Sequence, residues 1–149
     1  MSWQIAEATA AADLAACMAL RFDVFCREQG VGAAQERDGQ DAAAVHLLAR
    51  LDGAPVGALR LRRLGETAKI ERVCVARAHR GTGLGAALVR AGLDRAARVP
   101  GATRVQLGAQ LHALAFYERF GFSACGAEYI DAGMPQRDMA RPLPLTCAT

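Results

Sequence analysis

The stretch from Lys69 to Val89, KIERVCVARAHRGTGLGAALV, decides the fold because it joins a strand to a helix through a glycine-rich turn. The short β-branched run Val73 to Val75 predicts a strand, and Ala86 to Val89 predicts the beginning of a helix. Three glycines lie between, at Gly81 to Gly85. Glycine lacks the Cβ that would keep a ligand away, and a helix N-terminus offers unpaired N–H groups. The stretch therefore predicts a phosphate-binding turn.

Two nucleotide-binding motifs are excluded by the details of this turn. Gly81, Gly83 and Ala86 loosely fit the dinucleotide fingerprint, but five residues separate the strand from Gly81. The next predicted strand, Arg104 to Leu107, is not followed by the acidic residue that would bind a ribose. No Gly-Lys-Ser/Thr follows the turn, so a nucleoside-triphosphate P-loop is excluded as well.

The sequence on either side of the turn alternates between strand and helix patterns. The predicted elements before it are the strand Trp3 to Ala8, the helix Ala11 to Phe25, and the strands Val45 to Leu51, Val56 to Arg63 and Lys69 to Val75. After it come the helix from Gly83 to Ala97, the strand Arg104 to Leu107, the helix Leu111 to Phe120, and the strands Phe122 to Ala127 and Arg137 to Pro142. This order predicts an α+β fold with a mixed sheet.

Composition narrows the class of protein. A length of 149 residues indicates a single domain, residues 1–149, and a net charge of +3 with scattered basic residues does not favour a nucleic-acid partner. No apolar run is long enough to cross a membrane, and no secretory signal pattern is present, so we expect a cytoplasmic protein. Five irregularly spaced cysteines, with no histidine cluster, predict buried thiols and no metal site.

Three further motifs give the chain a family resemblance. Arg80-x-x-Gly83-x-Gly85 resembles the coenzyme motif of the GCN5-related N-acetyltransferases, the GNAT superfamily, and Gln110 to Phe122 resembles the second motif of that family. Leu20 to Gln29 and Asp131 to Pro135 are similar to the bacterial ElaA-like branch. The resemblance implies a mostly antiparallel sheet of six or seven strands that is flanked by helices and splayed between the fourth and fifth strands.

The same resemblance implies an acyltransferase that moves an acetyl group from acetyl-CoA, without a metal, to a primary amine by direct transfer in a ternary complex. The alternative is a non-catalytic acyl-CoA-binding or regulatory module of the same fold. The acceptor is expected to be a small-molecule or peptide amine bound by residues 21–41 and 128–136, and a homodimer stays open. The implied coenzyme-binding residues are Val73, Cys74, Val75, Arg80, Gly81, Thr82, Gly83, Leu84, Gly85, Ala86, Gln110 and Phe116.

Three side chains are candidates for proton transfer. Tyr117 matches the family tyrosine that protonates the leaving thiolate, and a phenol is protonated at neutral pH as this role requires. Its alternative is a packing role beside other aromatic residues. Glu71 is a candidate base because it lies two residues from Val73, which predicts the same strand face; Glu28 is a second candidate base, expected to face the acceptor. The alternative for Glu71 is a solvated ion pair, and the alternative for Glu28 is an ordinary carboxylate at a helix end.

Other residues carry weaker expectations. Cys74 fits a small thiol in a buried strand better than a covalent nucleophile, and His46 fits a core residue better than a base. Arg80 is expected to face a phosphate, since a guanidinium forks onto phosphate oxygens. Gln136 stands where the ElaA-like branch often has histidine, and glutamine cannot titrate, so a proton-transfer role at this position is in doubt.

Overall fold

The strand that leads into the glycine turn is β4, Thr67–Val75, and it lies in the middle of the sheet. We describe residues 2–144 of the chain from a computed structural model. The other strands are β1 (Trp3–Glu7), β2 (Val45–Leu51), β3 (Ala54–Leu64), β5 (Arg104–Gln110), β6 (Ser123–Asp131) and β7 (Met134–Pro142). The helices are α1 (Ala11–Arg21), α2 (Ala33–Glu36), α3 (Leu84–Ala96) and α4 (Leu114–Glu118), with a π-helical segment at Phe22–Glu28 and 3₁₀ turns at Arg77–His79 and Leu111–Ala113.

The seven strands form one sheet in the order β1-β2-β3-β4-β5-β7-β6. All neighbouring pairs are antiparallel except β4 and β5, which are parallel because α3 crosses over between them. The parallel pairing covers only Thr67 to Lys69 opposite Arg104 to Gln106, and the two strands part beyond it. The predicted α+β fold, with a mostly antiparallel sheet splayed between its fourth and fifth strands, is confirmed.

Helices cover the two faces of the sheet with separate apolar cores. On one face, Leu88 and Val89 of α3 are buried against Leu59 and Ile70. On the other face, Cys17 of α1 belongs to a smaller cluster that includes Ala58 and Cys74. The apolar periodicity of α3 and α1 therefore fixes both helices against the strands that flank the splay.

A β-bulge in β4 changes which residues share a face. Ala58 of β3 pairs with Cys74 but Arg60 pairs with Glu71, so one residue of β3 lies opposite the two bulge residues. Arg72, in the bulge, has a left-handed φ of +54°. Because the alternation is interrupted, Val73 packs against the α3 core while Glu71 lies on the α1 face with Arg60. The prediction that Glu71 and Val73 share a face is wrong.

Two other expectations need correction. The first predicted helix, Ala11 to Phe25, is α-helical only as far as Arg21, after which the wider π-helical turn of Phe22–Glu28 follows. The cysteines do not share one environment: Cys17 and Cys74 are buried, Cys26 is half-buried and Cys125 is exposed. Cys147 lies outside the described residues.

Candidate active site

The glycine turn, residues 81–85, follows β4 and leads directly into α3. Gly81 and Gly83 have φ values of +75° and +90°, in the left-handed region that residues with a Cβ rarely adopt. Thr82 closes the turn because its Oγ1 donates a hydrogen bond to the His79 carbonyl oxygen at 2.7 Å. The backbone path by itself therefore favours glycine at both positions.

The first turn of α3 presents backbone donors beside this turn. The first hydrogen bond of the helix runs from the N–H of Ala87 to the Gly83 carbonyl oxygen at 3.1 Å, so the amides of Leu84, Gly85 and Ala86 precede the helical ladder. The Leu84 side chain is buried in the core and anchors this end of the helix. Helix N-termini with free amides of this kind can bind anions.

A groove extends the glycine turn toward the splayed strands. A Cβ added to Gly85 would lie 3.8 Å from Cζ of Phe116 and 3.9 Å from Cγ2 of Val75. Val75 and Phe116 line this groove together with Gly81, Gly83 and Ala86. An elongated ligand with a charged end fits the groove, since donors lie at the turn and apolar walls lie beyond it.

Arg80 and Glu28 form an ion pair at the rim of the glycine turn. Arg80 Nη1 lies 2.8 Å from Glu28 Oε2, and Arg80 Nη2 donates to Glu28 Oε1 at 2.9 Å. The hydrogen bond from Arg80 lowers the pKa of Glu28 below its ordinary value. Glu28 thus lies beside the glycine turn, and in this arrangement Arg80 is occupied by a carboxylate. The expectation that Glu28 faces the acceptor stays a prediction.

A second cavity, beside the groove, opens where β4 and β5 separate, and we call it the main cleft. Its volume of about 330 Å³ is at the small end of the range for small-molecule sites. Side chains from both sheet halves line it, among them Glu71, Val73, Gln110, Tyr117, Tyr129 and Gln136. His112 lines both the main cleft and the groove, so the two cavities adjoin.

Tyr117 projects from α4 into the side of the main cleft. Its ring packs edge-on against Phe116 and Phe122, with centroid distances of 5.0 Å and 6.2 Å. Burial raises the pKa of the phenol to about 12. Tyr117 is therefore a neutral hydrogen-bond donor at pH 7, held by its apolar neighbours in the wall of the main cleft.

Glu71 belongs to a buried charged network. Its Oε1 accepts hydrogen bonds from Arg62 and, at 3.1 Å, from Arg60, while Lys69 lies 3.6 Å from Oε2. Burial raises the pKa of Glu71, but the hydrogen bond from Arg62 and the charges of Arg60 and Lys69 outweigh it, and the pKa is lower than usual. A carboxylate so strongly paired is a weak base.

The charged network continues behind the main cleft. Arg60 is fully buried and also donates to Asp38 at 2.8 Å and to Asp41 at 3.0 Å. The remaining members are Arg21, Glu36 and Arg72, with Arg21 and Arg72 both donating to Oε2 of Glu36. These bonds hold the segment between α1 and β2 against the bulge of β4, which keeps the left-handed Arg72 in place.

Two residues that the sequence marked as weak candidates are structural. Cys74 is buried under α1, and burial raises the pKa of its thiol to about 12, so it stays protonated. His46 is buried in β2, and its Nε2 lies 2.9 Å from the Asp41 carbonyl oxygen. The preference for a core role at both positions agrees with this geometry.

The sequence analysis placed Tyr129 only within the segment 128–136 that was expected to bind the acceptor, and it missed Asp138. The predicted strand ended at Ala127, whereas β6 continues to Asp131 and places Tyr129 in the main cleft opposite Gln136 of β7. The Tyr129 phenol donates a hydrogen bond to Asp138 Oδ1 at 2.7 Å. Every residue of β6 is exposed, so an alternation of buried and exposed positions could not have marked Tyr129.

Within residues 2–144, no helix is both long and apolar enough to span a membrane. The same part of the chain brings together no group of three His, Cys, Asp or Glu side chains arranged to hold a metal ion.

The chain is similar to a known protein family and to individual proteins. The family model described as acetyltransferase (GNAT) domain matches residues 13–143. Bacillus subtilis YjcF, named as an uncharacterized N-acetyltransferase, is 36% identical over 123 residues, which cover 82% of this chain and 87% of YjcF.

Two solved structures have the same fold and recognisable sequence similarity. An acyl-CoA N-acyltransferase from Pseudomonas aeruginosa superposes with a TM-score of 0.84 at 35% identity, covering 94% of this chain and 98% of that one. Escherichia coli ElaA superposes with a TM-score of 0.83 at 31% identity, with coverage of 94% and 98%. The likeness spans the sheet and both cavities, so it includes the candidate site.

Proposed function

The chain belongs to the GNAT acetyltransferase family, in its ElaA-like branch, and we propose that it transfers an acetyl group from acetyl-CoA to a primary amine by direct attack in a ternary complex. The observation that carries the proposal is the junction of the groove and the main cleft. The free amides of α3 mark one end of this path, and Tyr117 lines the main cleft, which adjoins the groove at His112.

The chain's own residues supply the binding of acetyl-CoA. The amides of the glycine turn and of α3 would hold the pyrophosphate, and Val75 and Phe116 would line the path of the pantetheine arm. Because β4 and β5 part after Lys69, the backbone of Val73 to Val75 borders an open gap instead of a paired strand. That gap fits an extended arm that pairs with strand backbone.

Tyr117 would act at the thioester. As the amine nitrogen attacks the carbonyl carbon and the C–S bond breaks, negative charge develops on sulfur, and the neutral phenol can donate its proton there. Glu71 and Glu28, the candidate bases, are each engaged by guanidinium groups that lower their pKa values. This engagement argues against either carboxylate as the principal proton acceptor.

The test measures free thiol released from acetyl-CoA with a panel of amines: glucosamine, spermidine, kanamycin and a short peptide with a free N-terminus. We expect release with at least one amine, and Tyr117→Phe should lower kcat on that amine by about 100-fold or more, with an unchanged melting temperature. The substitution keeps the ring contacts, so it isolates the hydroxyl. Tight acetyl-CoA binding without thiol release on any amine would support the non-catalytic module instead.

A further inference from the structure

Three polar side chains converge above Gly108 of β5, in the main cleft. A Cβ added to Gly108 would lie 2.6 Å from the Tyr129 hydroxyl, 3.2 Å from Gln136 Oε1 and 3.6 Å from Asp138 Oδ1. The distance of 2.6 Å is shorter than the contacts that Cβ atoms make in proteins, so a side chain at this position would displace the Tyr129 hydroxyl. The glycine is therefore needed for the three groups to meet over the backbone of β5.

Strand pairing fixes this cluster. Tyr129 of β6 is directly opposite Gln136 of β7, and Asp138 lies two residues further along β7 on the same face. The Tyr129 hydroxyl donates to Asp138 Oδ1 at 2.7 Å, and Gln106 Nε2 of β5 donates to Asp138 Oδ2 at 3.3 Å. Each oxygen of the carboxylate thus has one neutral donor.

Asp138 differs from the other carboxylates near the main cleft in its partners. Glu71 and Glu36 are held by arginine side chains, which stabilise their charged forms. Among residues 2–144, the hydrogen bonds to the Asp138 side chain come from a phenol and an amide. In this part of the chain Asp138 is therefore bound by neutral donors, whereas Glu71 and Glu36 are bound by guanidinium groups.

Tyr129 connects Asp138 to the main cleft. The tyrosine is 38% exposed and lines the same cleft as Tyr117. Its hydroxyl donates a hydrogen bond to Asp138, so the lone pairs of the hydroxyl oxygen are free to accept a hydrogen bond from a group in the cleft. Gln136 beside it offers an amide oxygen that can orient an N–H donor but cannot take its proton.

We propose that Tyr129 and Asp138 form the proton relay for the acceptor amine, a role that rests on the acetyl-transfer function proposed above. As the N–C bond forms and the C–S bond breaks, the amine nitrogen gives a proton to the Tyr129 oxygen, and the Tyr129 hydroxyl gives its own to Asp138. Tyr117 supplies the separate proton that reaches the leaving thiolate. Asp138 ends protonated and returns its proton to water, and Tyr117, left as a phenolate, takes a proton back from water, so the net products are the acetamide and the free CoA thiol.

The relay is tested by Asp138→Asn and Tyr129→Phe, assayed by thiol release with the best amine of the panel. The asparagine oxygen can still accept the Tyr129 hydrogen bond, while the proton acceptor and the 3.3 Å hydrogen bond from Gln106 are lost. We expect each variant to lower kcat by about 100-fold with the KM for acetyl-CoA within about twofold of the unsubstituted protein. Asp94→Asn, an exposed charge removal on α3, should leave kcat unchanged.

The double variant separates a relay from two independent contacts. Residues that act as one unit are non-additive, so Asp138→Asn with Tyr129→Phe should be no slower than either single variant. Multiplied losses, or an Asp138→Asn variant with full kcat, would overturn the relay while leaving acetyl transfer standing. Absence of thiol release by the unsubstituted protein with every amine would overturn the acetyl-transfer function, and the relay with it.

Discussion

The glycine turn and the main cleft meet at one junction but are built by different means. The glycine turn uses backbone: positive φ values at Gly81 and Gly83, and amides at the start of α3. The main cleft uses side chains from four strands and several helical segments, backed by the charged network around Arg60. The turn should therefore be sensitive to an added Cβ, and the main cleft to a lost charge.

The largest effect is expected from removing the centre of the charged network. Arg60→Met would leave Asp38, Asp41 and Glu71 without their shared buried cation, and breaking a buried ion pair in this way costs about 3–5 kcal/mol. Urea unfolding measures this free energy. Arg27→Met removes an arginine that is 72% exposed and paired with Asp23, so it should cost less than about 1 kcal/mol. Equal losses would contradict the importance of the network.

The next effect is expected at the glycine turn. Gly83→Asp puts a Cβ at φ +90° and a negative charge beside the amides, so acetyl-CoA affinity should fall by about 100-fold, equivalent to about 2.7 kcal/mol. Isothermal titration calorimetry gives the Kd. Gly65→Asp is the matched control because Gly65 has φ +60° in the turn between β3 and β4, with nothing near its Cβ position. A similar loss of acetyl-CoA affinity in Gly65→Asp would contradict a specific role of the glycine turn in binding acetyl-CoA.

Lowering the pH should weaken the ion pairs of the charged network behind the main cleft. The hydrogen bond from Arg60 lowers the pKa of Asp38. Burial raises the pKa values of Asp41 and Glu71, but their guanidinium partners outweigh burial, and both pKa values are lower than usual. A carboxyl whose pKa is lower in the folded protein stabilises the fold at pH values above its pKa in the unfolded chain, which is about 4. This stability is lost as the pH falls through the pKa in the folded protein. The free energy of unfolding should therefore decrease steadily below about pH 5.

Unfolding by urea at pH 7, 5 and 3.5 measures this dependence. The Arg60→Met variant should show a shallower decrease than the unsubstituted protein, since much of the pKa depression is already lost. Parallel pH profiles for the two proteins would show that the acid sensitivity arises elsewhere.

The smallest effect concerns the ion pair at the rim of the glycine turn. Glu28→Gln frees Arg80 from a carboxylate that competes with phosphate, so acetyl-CoA affinity should rise by about two- to fivefold, the range expected for an exposed pair. Calorimetry with acetyl-CoA measures this change. An affinity that falls instead would mean that Glu28 positions Arg80 for the ligand.

The predictable part of the site is contiguous in sequence. The glycine turn, α3 and Tyr117 were all indicated by motifs in which neighbouring residues act together. The position of Glu71 was predicted wrongly because strand alternation assumes regular pairing, and the extra residue at Arg72 shifts the faces. Tyr129 and Asp138 were not found because nothing in their local sequence relates them to Gly108, which precedes them by more than twenty positions.

The sequence by itself determined the order of strands and helices, the glycine turn and the family, since these follow from short-range periodicity and backbone requirements. Only the tertiary structure decided which carboxylates are paired. Glu71 and Glu28 are neutralised by arginines that lie far from them in sequence or across a strand, whereas Asp138 meets a tyrosine and an amide. The proton affinity of a carboxylate depends on its neighbours in space, and spatial neighbours are set by strand pairing and bulges.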